Sequence, residues 1–152
     1  ARALGVPMES CAPLGAVREA VIALRRQKGM VVDAGDPESQ SAGSFFTNPI
    51  VSADDLLRLE QRVNGAVPRF AHRAAYKIPA AWLVEQAGFI KGTRRGGVGV
   101  SKKHALALVN YGGSTAELLD LARAIVQAVR ERFDVTLAPE PVLVGATLLE
   151  DL

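Results

Sequence analysis

The chain has 152 residues and a net charge of +2, with 49% of its residues hydrophobic and 22% charged. This length suits one domain that buries a core without disulfides or metals. The single cysteine, Cys11, excludes an intrachain disulfide and favours a cytosolic protein, and two histidines argue against a dedicated zinc site. No apolar run approaches the roughly 20 residues of a membrane span, and the N-terminus has no signal-peptide pattern.

Hydrophobic periodicity and capping signals predict four helices. They cover about residues 16–27, a segment that begins at Ser52, the segment from Pro79 to Gly88, and the segment after a capping box of Ser114 and Glu117. The last helix has the clearest pattern, because apolar residues recur every three or four positions. Its predicted apolar face consists of Leu118, Leu121, Ile125, Val129 and Phe133.

Short apolar runs rich in β-branched residues predict the strands. These runs are residues 30–32, 98–100, 105–109, 135–137 and 142–144. Helices and strands intermix without the regular alternation of a doubly wound parallel sheet. The sequence therefore predicts an α+β fold: a single domain in which about four helices pack on a small mixed or antiparallel sheet.

The run Ser-Ala-Gly-Ser-Phe-Phe-Thr-Asn-Pro, residues 41–49, is unusual in a chain with 5% aromatic residues. Gly43 permits a positive φ or a close backbone approach. Pro49 forces Asn48 toward an extended conformation. From the residues alone, a loop that two phenylalanines pin into the core is as good an interpretation as a functional loop.

Three further segments share with this run a resemblance to one enzyme family. They are Lys-Ile-Pro-Ala-Ala-Trp-Leu-Val-Glu at 77–85, Val-Ser-Lys-Lys-His-Ala-Leu-Ala-Leu-Val-Asn at 100–110, and Leu-Ala-Pro-Glu at 137–140. Together with Gly-Ser-Phe-Phe-x-Asn-Pro, they resemble the UDP-N-acetylenolpyruvoylglucosamine reductases (MurB type). The resemblance runs from about Leu14 to Gly145 and covers the family's C-terminal, substrate-binding domain.

This resemblance implies a domain organisation. Residues 1–13 are expected to be an N-terminal tail or linker, residues 14–147 the substrate-binding domain, and residues 148–152 a C-terminal tail. In the family, an FAD-binding region lies upstream, and no part of this chain resembles it. The first residue is Ala1 rather than methionine. We therefore expect a fragment of a longer protein, although a processed protein would begin in the same way. A standalone protein is the alternative that the sequence leaves open.

The resemblance also implies two catalytic residues, Ser44 and Glu140. In the family reaction, reduced FAD gives a hydride to the β-carbon of the enolpyruvyl group, and the serine protonates the α-carbon. A serine is a weak acid, so it must be held rigidly against a strongly basic carbon. The glutamate stabilises the enol-like intermediate, a role that requires a pKa raised by burial. The alternatives are a serine that caps a turn and an exposed acid in a loop. Pro141 replaces a common valine and leaves the geometry beside Glu140 open.

Three residues match substrate-binding positions of the family: Lys28, Asn48 and His104. Lys28 would face the phosphates or carboxylate of the substrate, although a cation at a helix C-terminus is also favoured by the helix dipole. Asn48 would bind the substrate, and the alternative is the ordinary role of an asparagine in a turn. His104 would lie near the diphosphate. No residue is assigned to a cofactor or a metal.

The implied activity is that of an NADPH- and FAD-dependent UDP-N-acetylmuramate dehydrogenase in cytoplasmic peptidoglycan precursor synthesis. Its partners would be UDP-N-acetylenolpyruvoylglucosamine and the upstream FAD-binding domains of the same protein, not nucleic acid or a membrane. Alone, the chain is expected to bind neither cofactor and to be inactive. Two rival functions are a non-catalytic sugar-nucleotide-binding module and a nucleic-acid binder. The second is disfavoured, because the sequence lacks aromatic residues interleaved with Lys and Arg. The stretch Arg94–Gly99 is too incomplete for a dinucleotide motif.

Overall fold

The computed structural model describes residues 1–63 and 65–148. Its α-helices are α1 (Leu14–Gln27), α2 (Ala53–Val63), α3 (Ala80–Gln86) and α4 (Thr115–Phe133). Its strands are β1 (Ser41–Ser44), β2 (Ile50–Val51), β3 (Phe70–His72), β4 (Ala75–Lys77), β5 (Arg94–Arg95), β6 (Val98–Val100) and β7 (Ala107–Asn110). Single turns of 3-10 helix cover Arg2–Leu4 and Pro37–Ser39. The expected C-terminal tail lies outside the described residues, apart from Leu148, which is buried.

The strands form two antiparallel sheets. One sheet has the order β1-β7-β6-β5 and the other β2-β4-β3. In the first, Val100 pairs with Leu108, and in the second, Ile50 pairs with Lys77. The predicted α+β class with about four helices is confirmed, and the sheet content is antiparallel.

The core lies between α4 and the first sheet. Helix α4 contacts β6, β7, α2 and α3. It buries seven residues, among them Leu121, Ile125 and Phe133. The ring of Phe133 packs against Trp82 of α3, with 5.8 Å between ring centroids. Burial of this apolar face, together with the facing strands, stabilises the fold at about 25 cal/mol per Å² removed from water.

The helices agree with the sequence because their caps are local signals. At α4, the Ser114 Oγ accepts a hydrogen bond from the Glu117 N–H at 3.2 Å, and the Ser114 N–H donates to Glu117 Oε2 at 2.7 Å. At α2, the Ser52 Oγ accepts from the Asp55 N–H at 3.1 Å. Each cap satisfies backbone donors that have no partner within the helix.

Strand prediction was less accurate. Strand β6 is confirmed, and β7 begins two residues later than predicted. The strands predicted at 30–32, 135–137 and 142–144 are wrong. Val32 and Val144 are 94% and 92% exposed, whereas Leu137 is fully buried but lies outside any described strand. Apolar β-branched composition marks residues that can enter a sheet, but pairing needs a partner strand.

The strands that the sequence missed are short, and β1 is the most informative of them. It coincides with the start of the Ser-Ala-Gly-Ser-Phe-Phe run, which lacks β-branched residues. It forms because β7 supplies a partner edge, pairing Ser41 with Val109 and Ser44 with Ala107. The register shifts between these two pairs, and Gly43 lies there with φ +82°. Glycine adopts this conformation without the strain that a Cβ would cause.

The glycine-rich stretch after Arg94 connects two strands, β5 and β6. A Cβ on Gly97 would lie 2.4 Å from the Cα of Gly113. A Cβ on Gly99 would lie 2.6 Å from the carbonyl oxygen of Thr93. These glycines therefore serve close packing of backbone on backbone.

The described residues lack two further kinds of feature. None of their helices is both long and apolar enough to cross a membrane. None of their His, Cys, Asp and Glu side chains form a group of three or more that could hold a metal ion.

Candidate functional site

Ser44 is held at the end of β1 by the two residues that follow it. The Phe45 N–H donates a hydrogen bond to the Leu106 carbonyl oxygen at 2.8 Å. Phe45 and Phe46 are 3% and 1% exposed, and their rings meet edge to face with centroids 5.1 Å apart. The two phenylalanines therefore do pin this run into the core. Because they are fixed, the half-buried Ser44 is fixed beside them.

Glu140 lies beside Ser44 because the chain after Leu137 runs along the Phe-Phe segment. The Glu140 N–H donates to the Phe45 carbonyl oxygen at 2.9 Å. Two residues further along from Phe45, the Thr47 N–H donates to the Ala138 carbonyl oxygen at 3.0 Å. Pro141 does not disturb this arrangement, since the donor is the N–H of Glu140 itself. The two residues that the sequence predicted as catalytic are thus neighbours in the fold.

Ser44 and Glu140 both line two clefts that meet at this point. The first, which we call the Arg25 cleft, has a volume of about 510 Å³ and is also lined by Arg25, Gly29 and Met30. The second, the Asn48 cleft, has a volume of about 460 Å³ and is also lined by Asn48, Lys77 and Leu106. Either volume is of the size that holds a small-molecule ligand. A ligand group at the junction would contact both side chains.

Asn48 lies in the Asn48 cleft with one end of its amide already engaged. Its Oδ1 accepts a hydrogen bond from the Ala80 N–H at 2.8 Å, at the start of α3. This bond satisfies a helix-terminal donor, which is the ordinary turn role that the sequence allowed. The NH₂ group carries two donors, so the bond at Oδ1 orients it without using them. Asn48 can therefore serve the fold and a ligand at once.

Lys28 and His104 lie near each other but line neither cleft. His104 is half-buried, and its Nδ1 accepts a hydrogen bond from the Leu106 N–H at 3.1 Å. Burial lowers the pKa of His104, and the positive charges of Lys28 and Lys91 lower it further. A neutral His104 carries its proton on Nε2, which is free to donate. Lys28 is exposed, directly before the cleft residue Gly29.

Arg25 and Lys77 are cleft residues that the sequence did not single out. Signals for both were present. Arg25 belongs to the basic cluster at the end of α1, and Lys77 opens the second family-like segment. Each cleft thus has one cation that can pair with an anionic group of a ligand, in addition to the shared Glu140.

A buried carboxylate, Glu38, supports one wall of the Arg25 cleft. It is 6% exposed and accepts hydrogen bonds from Ser101 Oγ, the Lys102 N–H and the Tyr111 hydroxyl, each at 2.7 Å. A Cβ on Gly29 would lie 2.8 Å from the Glu38 carbonyl oxygen, so the cleft residue Gly29 packs directly on this segment. The network ties the loop after α1 to the turn that carries His104.

The network also shifts the pKa of both of its acids. Burial raises the pKa of Glu38, but the hydrogen bonds from Ser101, Tyr111 and Lys102 together outweigh burial and lower it. Burial and the Glu38 carboxylate raise the pKa of Tyr111 to about 12. No sequence pattern indicates this role, because Glu38 lies in a polar loop far along the chain from its hydrogen-bond donors.

Comparison with known proteins identifies the family of the chain. Residues 36–144 match the sequence model of the UDP-N-acetylenolpyruvoylglucosamine reductase C-terminal domain. Relatives named UDP-N-acetylenolpyruvoylglucosamine reductase include a Thermobifida fusca protein (51% identical, 97% of this chain and 44% of the relative), a Mycobacterium leprae protein (51%, 88% and 37%) and a Streptomyces coelicolor protein (48%, 97% and 41%). The chain belongs to the family of these C-terminal domains. It spans less than half the length of these relatives.

Proposed function

We propose that this chain is the substrate-binding domain of a longer cytoplasmic reductase. The longer protein would use NADPH and FAD to reduce UDP-N-acetylenolpyruvoylglucosamine to UDP-N-acetylmuramate, a step of peptidoglycan precursor synthesis. The observation that carries the proposal is the hydrogen bond from the Glu140 N–H to the Phe45 carbonyl oxygen, since it brings Ser44 and Glu140 to the same clefts. The names of the relatives support the same substrate.

In this proposal Ser44 donates its hydroxyl proton to the α-carbon of the enolpyruvyl group. A hydroxyl is a weak acid, so its contribution depends on position more than on pKa. Burial of Phe45 and Phe46 supplies that position by fixing the backbone on which Ser44 lies. The Ser44 side chain needs no neighbouring base, because the developing carbanion is itself the stronger base.

Glu140 would act on the carboxylate side of the same group, by a hydrogen bond that stabilises the enol-like intermediate. In this chain Glu140 is exposed. A protonated glutamate at neutral pH requires burial. We therefore infer that the substrate and the rest of the longer protein cover Glu140 when the complex forms.

The cations and donors around the junction would hold the rest of the substrate. Arg25 lines one cleft and Lys77 the other, and the Asn48 NH₂ group is oriented by its bond to Ala80. The diphosphate of a sugar nucleotide carries negative charges that such groups bind. Lys28, which lies beside the clefts, would extend this basic surface, and the neutral His104 near it would add a hydrogen-bond donor.

The flavin, when bound, supplies the hydride for the β-carbon. Among the described residues, the glycine-rich stretch near Arg94 is used for packing against Gly113 and forms no phosphate cradle. The residues of this chain thus fit a wall of the reaction site, and the part of the longer protein outside this chain would hold the FAD. The chain alone is expected to be colourless and not to oxidise NADPH.

The experiment that tests the proposal is Ser44→Ala in the longer protein, with the two half-reactions followed separately by stopped-flow absorbance. Reduction of the flavin by NADPH should stay within about twofold. Reoxidation of the flavin by substrate should slow roughly 10²–10⁴-fold, the scale of a positioned proton donor. Glu140→Gln should impair the same half-reaction, because both residues act on one intermediate.

Ser10→Ala is the matched control, since Ser10 is exposed and lies outside both clefts. It should change neither half-reaction. Normal reoxidation in Ser44→Ala would remove Ser44 from the chemistry and leave Phe45-Phe46 as a structural anchor. Sugar-nucleotide binding without any flavin reduction would instead assign the chain to a non-catalytic binding module.

A further inference from the structure

Helix α1 presents an apolar stripe that the described residues leave partly exposed. Leu14, Val17, Val21 and Leu24 are three or four positions apart and so lie on one face. Leu14 is 84% exposed, Val21 47% and Leu24 46%, and none of the 14 residues of α1 is buried. Surfaces of this kind, with several large apolar side chains in one row, mark contact sites.

This helix also stands apart from the core. Its closest packing partner among the helices and strands is the 3-10 turn Arg2–Leu4, whereas α4 contacts two strands and two helices. A helix of 14 residues is marginal in water without tertiary packing. The match to the family's C-terminal domain begins at residue 36, after α1 has ended. On both grounds α1 is not an integral part of this domain.

We propose that the apolar stripe of α1 packs against the region that precedes this domain in the longer protein. The occupant follows from length: the chain covers 44% of the Thermobifida fusca relative, and the matched family region is a C-terminal domain. More than half of such a protein therefore lies on the N-terminal side. The boundary of the domain then falls near residue 36, after α1, rather than near residue 14.

Docking of this stripe has a consequence for the site. Arg25, next to Leu24 in the last turn of α1, lines the Arg25 cleft, and so does Gly29 just beyond the helix. A partner seated on Val21 and Leu24 would therefore stand at the edge of this cleft. The Arg25 cleft would then lie between the two parts of the longer protein, and α1 would set their relative position.

The test compares Val21→Ala/Leu24→Ala in the longer protein and in the 152-residue chain. Alanine keeps helix propensity high, so the variant removes mainly the apolar contact. In the longer protein the melting midpoint should fall by on the order of 5 °C. In the 152-residue chain the midpoint should fall by about 2 °C or less, because no contact with a partner is lost there. Hydrogen exchange of α1 should be slow in the longer protein and fast in the chain alone.

The control is Glu19→Ala/Arg26→Ala, which truncates two exposed side chains on the opposite face of α1. It should leave both melting midpoints within about 2 °C. Equal shifts in the two proteins, or slow exchange of α1 in the chain alone, would overturn the proposal. A dimer of the 152-residue chain that dissociates on Val21→Ala/Leu24→Ala would assign the stripe to a second copy instead.

The inference rests on the existence of the longer reductase, but its readouts are independent of catalysis. A longer protein that showed these shifts without NADPH oxidation would contradict the proposed function alone.

Discussion

Helices α1 and α4 have similar apolar patterns in sequence but opposite fates in the structure. Helix α4 buries seven residues against strands and helices, and α1 buries none. The same contrast holds for the segments around the clefts, where Val32, Val142 and Val144 are each at least 88% exposed. Periodicity therefore shows that a helix has an apolar face, but not which part of the protein covers it.

The contrast separates two halves of the chain, one in which the apolar residues are buried and one in which many of them are exposed. Around α4, the described apolar residues cover one another and form the core. Around the clefts, apolar residues and the candidate site face solvent together. The uncovered half is where we expect the substrate and the remainder of the longer protein to bind.

The most direct test of this comparison is to substitute a matched pair of leucines, Leu121 in α4 and Leu24 in α1. Leu121 is 1% exposed and Leu24 is 46% exposed. In the 152-residue chain, Leu121→Ala should lower the free energy of unfolding by about 2–5 kcal/mol, since it leaves a cavity. Leu24→Ala should change it by about 0.5 kcal/mol or less. Urea denaturation followed by circular dichroism measures both, and similar losses would mean that α1 is part of the core.

A smaller loss of stability is expected from a substitution at Glu38, whose hydrogen bonds join the two halves. Glu38→Gln leaves at least one of three donors poorly paired, so the free energy of unfolding at pH 7 should fall by roughly 1–3 kcal/mol. The folded state lowers the pKa of Glu38. Its contribution is therefore present above its ordinary pKa of 4.5 and is lost as pH falls through the lower, folded value.

The difference in stability between wild type and Glu38→Gln should consequently shrink between pH 7 and about pH 3. Urea denaturation at the two pH values is the measurement. Ser39→Ala is the control, because Ser39 neighbours Glu38 and is also buried, but is not ionisable. A Glu38→Gln deficit that stays constant with pH would show that the carboxylate charge is not what the network stabilises.

The helices could be predicted because their determinants are local. The Ser114–Glu117 box and the period of α4 are contained within the segment they describe. Most of the strands could not, because each depends on a distant partner. Strand β1 has no β-branched residue and exists because β7 pairs with it, whereas Val142 and Val144 have strand composition and no described sheet to join.

The candidate site likewise contains residues that could be predicted from the sequence and a residue that could not. Ser44, Asn48 and Glu140 were predicted from the resemblance of short segments to the family, and the structure brings them to adjoining clefts. Glu38 was missed because its partners Ser101 and Tyr111 lie more than sixty positions away. A lone glutamate in a polar loop gives no signal of burial.

The central claim is that substrate binds where the two clefts meet. Hydrogen exchange of the longer protein, with and without UDP-N-acetylenolpyruvoylglucosamine, tests it most directly. Substrate should slow exchange in residues 39–48 and 138–142, and the exposed face of α4 should be unchanged. Protection confined to other segments, with residues 39–48 and 138–142 unaffected at saturating substrate, would contradict the account.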